Sequence, residues 1–179
     1  MGDRQRLVII GGVAAGMSAA AKVRRVNSEI DVTVFERGSY VSYGACGLPW
    51  FICGRIPTQQ DLVLSAEEMY RSVCGKMPDE NKLIARTPEQ FKKSGINLYI
   101  RHEATAIDLS RQVVHVRNLD AGKDFEQPFD MLLIATGARA VRPRIPGVDL
   151  EGVFVLKSME DGLALRRYVE SNPIKKAVI

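Results

Sequence analysis

The sequence is short of cysteine and tryptophan, with three and one among 179 residues. Three thiols cannot all pair, and Cys46, Cys53 and Cys74 lack the clustered spacing of a zinc module. That count argues against a disulfide scaffold and a zinc module, no metal site is expected, and the thiol usage suits a reducing, cytoplasmic setting. Long apolar runs are missing too. Leu7 to Ile10 falls far short of the roughly 20 residues a membrane span needs. "MGDRQRLVII" has no secretory pattern, and "MGDRQR" lacks the Ser or Thr of a myristoylation site. No membrane partner is expected. Charge of one sign is not in excess either, at a net +4. The densest basic group, "AKVRRVNSE", reads first as a solvated helix face; with no long stripe or interleaved aromatics it does not suit nucleic acid, and a small phosphate-bearing ligand is the better alternative.

What is there suffices for a core: 46% hydrophobic and 26% charged residues, in a length that suits one domain with part of another. Leu7 to Ile10 reads as a strand that stops at Gly11 and Gly12. Val13 to about Asn27 reads as an Ala-rich helix, and Asp31 to Phe35 as a β-branched strand. Together these make a βαβ unit with a parallel sheet. Ala45 to Gly54 reads as a short helix opening near Cys46. Capping boxes at Ser65–Glu68 and Thr87–Gln90 predict helices near Ala66 and Pro88, with a polar, exposed excursion between them. Ile96 to Ile100 is a predicted strand. Thr105–Leu109, Gln112–Asn118 and Phe125–Phe129 form a predicted antiparallel meander. "MLLIATGA" reads as a buried strand entering a glycine turn, and "SMEDGLALRRYVESN" as a helix capped by Ser158. "KKAVI" resembles the opening strand "QRLVI", so residues 1–150 are expected to be the N-terminal part of one nucleotide-binding domain and 151–179 the start of a second, cut off before its phosphate loop.

The glycines carry the first chemical argument. "IIGGVAAGMSAA" approximates G-x-G-x-x-G, with Gly11 first, Gly16 last and Val13 in the middle. The first glycine makes the tight turn, the middle one permits approach to a pyrophosphate, and the last lets helix pack on strand. Taken alone this pattern fits a packing turn that binds nothing. The preceding strand, the following helix and Glu36, about 20 residues beyond Gly16, point instead to a dinucleotide. Glu36 is placed for ribose hydroxyls and the helix N-terminus for phosphates.

Cys46 allows three readings: a small buried hydrophobe, half of a disulfide with Cys53, or a reactive thiol. Cys53 stands seven positions on. On a helix that is roughly 10 Å, beyond the roughly 7 Å a disulfide tolerates. At a helix opening, unpaired backbone N–H groups favour a thiolate, the nucleophile of disulfide exchange. Cys46 is therefore the catalytic candidate.

"VIIGGVAAGMSAA", "VFERG", "VSYGACGLPW", "TPEQFKK" and "LLIATGARAVRPRIPG", in that order, resemble the N-terminal part of the pyridine nucleotide-disulfide oxidoreductase family. The likeness is to its single-cysteine branch, which includes CoA-disulfide reductases, NADH oxidases and peroxidases, and NAD(P)H sulfur or persulfide reductases. The resemblance implies an α/β fold, an FAD/NAD(P)-binding doubly wound parallel sheet with a small antiparallel β-meander. It implies FAD on Gly11, Gly12, Val13, Ala14, Gly16, Glu36 and Arg37, with the backbone near Ala104 at the adenine. Thr136 and Gly137 would approach the flavin nucleotide. That Cys53 and Cys74 match no position of the family makes them core or loop residues, and the aromatic its members carry after the proline makes Trp50 a packing residue. It also implies NAD(P)H, its site expected beyond residue 179, and a homodimer of the full-length protein. In CoA-using members the matching positions bind CoA, which here are Ser18, Lys22, Arg25 and Ser42. Ala45 departs from the asparagine many CoA-type members carry before the cysteine, and residues 72–86 exceed the usual spacing. The function implied is reduction of a small-molecule disulfide, persulfide or CoA-linked substrate through Cys46. The alternatives are an NADH oxidase or peroxidase cycling a cysteine sulfenic acid, and a non-catalytic flavin-binding fragment, with the 179-residue chain inactive by itself.

Overall fold

The computed structural model describes residues 4–53 and 88–179. In chain order the elements are β1 (Arg6–Ile10), α1 (Ala14–Val26), β2 (Asp31–Glu36), a 3-10 turn (Ala45–Gly47), α2 (Leu48–Ile52), α3 (Pro88–Lys93), β3 (Ile96–Ile100), β4 (His102–Asp108), β5 (Val113–Asn118), β6 (Lys123–Pro128), β7 (Met131–Ile134) and α4 (Met159–Ser171). They fall into two compact units. One comprises the chain up to Tyr43 with the stretch from Ala85 to Gly137, and the other comprises Gly44–Ile84 with Ala138–Ile179.

The first unit is layered around β1. Leu7 and Ile9 pack with Met17 and Ala20 of α1, Phe91 of α3, and Val32, Val34 and Ile96 of the neighbouring strands. Val8 and Ile10 face the other way, onto Val114, Val116, Phe129 and Phe35. Burial on both faces is why this strand reads as an unbroken apolar run rather than an alternation. The four parallel strands run in the order β3-β2-β1-β7, and a separate antiparallel sheet runs β4-β5-β6. The chain steps outward from β1 through β2 to β3, makes the meander, and returns on the opposite side of β1 as β7. This reversal is a topological switch point, where open α/β sheets form a ligand crevice beyond the strands' carboxyl ends. At the other end of the strands, Asp130 fastens the entry to β7. Its Oδ2 accepts from the Arg6 backbone N–H at 2.7 Å, and its Oδ1 accepts from Arg6 Nη2 at 2.9 Å. Those hydrogen bonds hold its carboxyl at about 2, below the ordinary 3.8.

The second unit, among the described residues, centres on α2 and α4. Ser158 and Asp161 close a reciprocal capping box at the start of α4, as the Ser158 cap predicted.

Several expectations shift. β4 begins at His102 rather than Thr105, and β6 spans Lys123–Pro128 rather than Phe125–Phe129. β7 is half-buried, not buried, and Ile134 is 60% exposed. It pairs with β1 alone among the described residues, so one edge lacks a covering strand. Lys175 to Ile179 is exposed and joins no ladder; a strand needs a hydrogen-bonded neighbour, and no described residue supplies one. The Ser65 capping box, the helix near Ala66, the 72–86 excursion with Cys74, and the Thr87 cap lie outside the described residues. α3 does begin at Pro88, where proline suits a first helical turn.

Candidate functional site

The glycine turn of the first unit starts where β1 ends. Gly11 has a φ of 107°, a conformation that excludes most side chains. A Cβ there would collide with the Ala135 carbonyl oxygen and lie 3.2 Å from Thr136 N. Gly11 N–H donates to Phe35 O and Ala135 N–H to Ile10 O, each at 2.8 Å. The exits of β2, β1 and β7 are thereby joined through backbone. A Cβ on Gly16 would run into the Gly11 carbonyl oxygen, and one on Gly12 would lie 2.9 Å from Glu36 Cβ. The three glycines are steric requirements of one turn folded against itself.

Val13 caps α1 and offers no side-chain hydrogen bond, and the first turn carries no acidic residue. Ala14 and Ala15 are exposed. First-turn amides have no acceptor four residues back, and they sit at the positive end of a 13-residue helix. The arrangement suits an anion such as a pyrophosphate. Glu36 is half-buried at the end of β2; its Oε2 accepts from Gly12 N–H and its Oε1 from Gly38 N–H, both at 2.6 Å. The carboxylate is thus a strut for the glycine turn, a role that sequence reasoning missed. Each oxygen retains a lone pair for a hydroxyl.

Arg37 is exposed and pairs with Glu103 of β4 at 3.6 Å. The neighbouring Ala104 sits at a register shift. Ala104 opposes Val116 and Ala106 opposes His115, leaving Thr105 over. Such a bulge interrupts the ladder, and Thr105 Oγ1 instead donates to His115 O at 3.2 Å. Thr136 and Gly137 are exposed, and Gly137, with φ 66°, has open space where a Cβ would stand.

Ser18, Lys22 and Arg25 are all exposed on α1, and spacings of four and three put them on one face. Arg24 turns elsewhere and closes the unit: it donates to Ser28 O at 2.5 Å, Ile30 O at 3.0 Å and Ser94 O at 3.2 Å. The adjacent pair in "VRRV" therefore divides into a structural clamp and a surface cation. Ser42 has a φ of 52° and donates its N–H to Gly12 O at 3.0 Å. Its backbone is bound to the glycine turn.

In the second unit Cys46 is a free, exposed thiol within the 3-10 turn. The two amides after it are already engaged, Gly47 N–H with Gly44 O and Leu48 N–H with Ala45 O. The opening thus has fewer free donors than the sequence suggested. Cys53 is also free and exposed, not packed. It caps the C-terminus of the five-residue α2, with Sγ 3.3 Å from Trp50 O. It stays out of the core because the buried positions of α2 are Leu48 and Phe51. No cluster of metal-ligating side chains occurs among the described residues, and none of their helices is long and apolar enough to cross a membrane.

Residues 5–179 match the family model described as pyridine nucleotide-disulphide oxidoreductase. An NAD(P)H sulfur oxidoreductase (CoA-dependent) of Pyrococcus abyssi is 38% identical over 98% of this chain and 34% of its own length. An NADH oxidase of Methanocaldococcus jannaschii is 31% identical over 97% of this chain and 34% of its own. The solved structure of a NAD-dependent persulfide reductase from A. fulgidus is 34% identical and superposes with a TM-score of 0.78 over 93% of this chain and 28% of that one. The chain thus spans about a third of the length of the curated relatives it matches.

Proposed function

Because this chain belongs to the pyridine nucleotide-disulphide oxidoreductase family, we propose that it supplies the flavin cradle and redox thiol of an NAD(P)H-dependent reductase of disulfide, persulfide or polysulfide sulfur. The observation that carries this reading is the switch-point turn. Gly11, Gly12 and Gly16 stand where a Cβ has no room, an uncapped helix N-terminus opens above them, and Glu36 closes the far side. Those residues fit the ADP half of FAD: amides for the pyrophosphate, a carboxylate for the ribose, and the interrupted ladder at Ala104 for the adenine. Thr136 and Gly137, exposed just past the exit of β7, would approach the flavin end. When bound, FAD supplies two-electron transfer between a nicotinamide and sulfur.

Cys46 performs the sulfur chemistry. Its thiolate attacks one sulfur of the substrate, a new S–S bond forms, and the other sulfur leaves as a thiolate. Two electrons delivered to the mixed disulfide then release the second thiolate and regenerate Cys46. Ser18, Lys22, Arg25 and Ser42 are proposed to hold the phosphates of a CoA-linked substrate. The similarity to a CoA-dependent sulfur oxidoreductase supports this; Ala45 removes one hydrogen-bonding side chain beside the thiol. The similarity to an NADH oxidase favours a second reading, in which peroxide converts the Cys46 thiolate to a sulfenic acid.

The test is Cys46→Ser in the full-length protein, assayed for NAD(P)H consumption with CoA disulfide, polysulfide, peroxide and oxygen. Loss of turnover with the sulfur acceptors alone supports the first reading. Selective loss with peroxide or oxygen supports the second. Full retention with every acceptor refutes both.

A further inference from the structure

The short helix carrying the cysteine turn packs against α4, which lies more than a hundred residues away in sequence. α2 contains five residues, and Gly47, which directly follows Cys46, is its N-cap. A helix of little more than one turn holds no position by its own hydrogen bonds, so whatever seats α2 also seats the cysteine. Leu48 and Phe51 are each 2% exposed, one turn apart on the same face. Leu48 meets α4 at Gly162, where an added Cβ would lie 2.8 Å from Leu48 Cδ2. Phe51 meets α4 at Arg166. The guanidinium stands 4.5 Å from the ring centroid, and Nη1 donates to the Phe51 carbonyl at 3.4 Å. Glu170, one turn further along α4, accepts from Arg166 Nε at 2.7 Å and fixes the guanidinium's orientation. A cation at the carbonyl end of a short helix complements its unsatisfied acceptors. α4 is itself anchored by its capping box and by Met159, which is fully buried.

We infer that Gly162 and Arg166 of α4 are positioning residues for Cys46, setting the seat of α2 and through it the placement of the thiol. This rests on the reading of Cys46 as the redox residue. Neither side chain is assigned a contact with substrate or cofactor. Gly162 provides the close approach, and Arg166 locks the helix against rotation through both its ring contact and its carbonyl hydrogen bond.

The experiment compares Arg166→Met, Arg166→Lys, Gly162→Ala and Cys46→Ser in the full-length, flavin-loaded protein. Arg166→Met keeps the apolar stem and removes the charge and the donor. It should lower kcat for the sulfur acceptor by roughly tenfold to a hundredfold, the range set by small misplacements of a reacting group. The KM for the nicotinamide and the flavin content should stay unchanged. Arg166→Lys should recover part of kcat, and Gly162→Ala should act in the same direction with smaller effect, because Leu48 Cδ2 is the end of a side chain that can turn aside. Independently of turnover, amide exchange over Leu48–Ile52 should quicken in Arg166→Met, and peptide-resolved iodoacetamide labelling of Cys46 should change rate while α1 exchange holds steady. Wild-type exchange, labelling and kcat in Arg166→Met would overturn the inference, even with Cys46→Ser inactive. An active Cys46→Ser would instead refute the redox reading, and the exchange and labelling rates would then decide whether α4 seats the turn.

Discussion

The glycine turn and the cysteine turn are built in opposite ways. At the glycine turn three strand exits and a 13-residue helix converge, and backbone atoms stand so close that a methyl group has no place at Gly11 or Gly16. At the cysteine turn three residues of 3-10 helix and five of α-helix pack against α4, with the thiols of Cys46 and Cys53 open to solvent. Under the proposed function the glycine turn is a cofactor cradle, and such a cradle gains from being over-determined because its donors must be aimed before the ligand arrives. In the proposed function the thiol meets successive substrates and must stay accessible, which its exposure allows.

Substitutions can break this contrast, and the largest effect belongs to the glycine turn. Gly16→Val puts a branched side chain against the Gly11 carbonyl, a backbone atom that cannot turn aside. The expected cost, about 3 kcal/mol or more, should abolish the cooperative urea transition of the first unit. A normal transition would show the turn to be less constrained than its contacts indicate. Next comes Leu48→Ala, which empties the contact between α2 and α4. It should cost about 3 kcal/mol, confined to the second unit and read as faster amide exchange over residues 48–52. A uniform loss across the chain would erase the distinction between the two regions.

Glu36→Gln tests whether the strut role is separable from ligand binding. An amide oxygen replaces one acceptor, but its NH2 group faces a backbone donor, so a loss of about 1–2 kcal/mol is expected, together with weaker FAD retention on gel filtration. Unchanged stability with lost FAD would assign the carboxylate to the ligand alone. The smallest effect is that of pH at the opposite end of the sheet. Asp130 is depressed to about 2 by its hydrogen bonds from Arg6. Its contribution is therefore complete above its ordinary value near 3.8 and is lost as pH falls toward 2. Asp130→Asn should flatten the acid limb of the melting-temperature profile in that window and leave the slope above pH 5 alone. Being exposed, the pair should shift the melting temperature only slightly.

Much of the first unit is legible in the sequence. The apolar run of β1, the glycine turn, α1, β2 and the Pro88 helix are local patterns, and each stands where its residues indicated. The second unit was less legible. Cys53 reads like a packing residue because free cysteine is so often buried, yet it ends a helix that is too short to carry it inward. "KKAVI" has strand-forming residues but no described neighbour to pair with. Arg24 and Arg25 are indistinguishable in sequence, and only the carbonyls of Ser28, Ile30 and Ser94 separate the clamp from the surface cation.

The amino-acid sequence by itself determined which segments could be strand, helix or turn, that a tight glycine turn follows the first strand, and that Cys46 has no disulfide partner in Cys53. Those are consequences of spacing, side-chain shape and backbone freedom within a few residues. Tertiary structure alone decided that Glu36 props the glycine turn, that Gly11 must yield to Ala135, and that Gly162 and Arg166 seat the cysteine helix. Each of those contacts joins residues far apart in the chain, where proximity comes from strand order and helix packing rather than from any local preference.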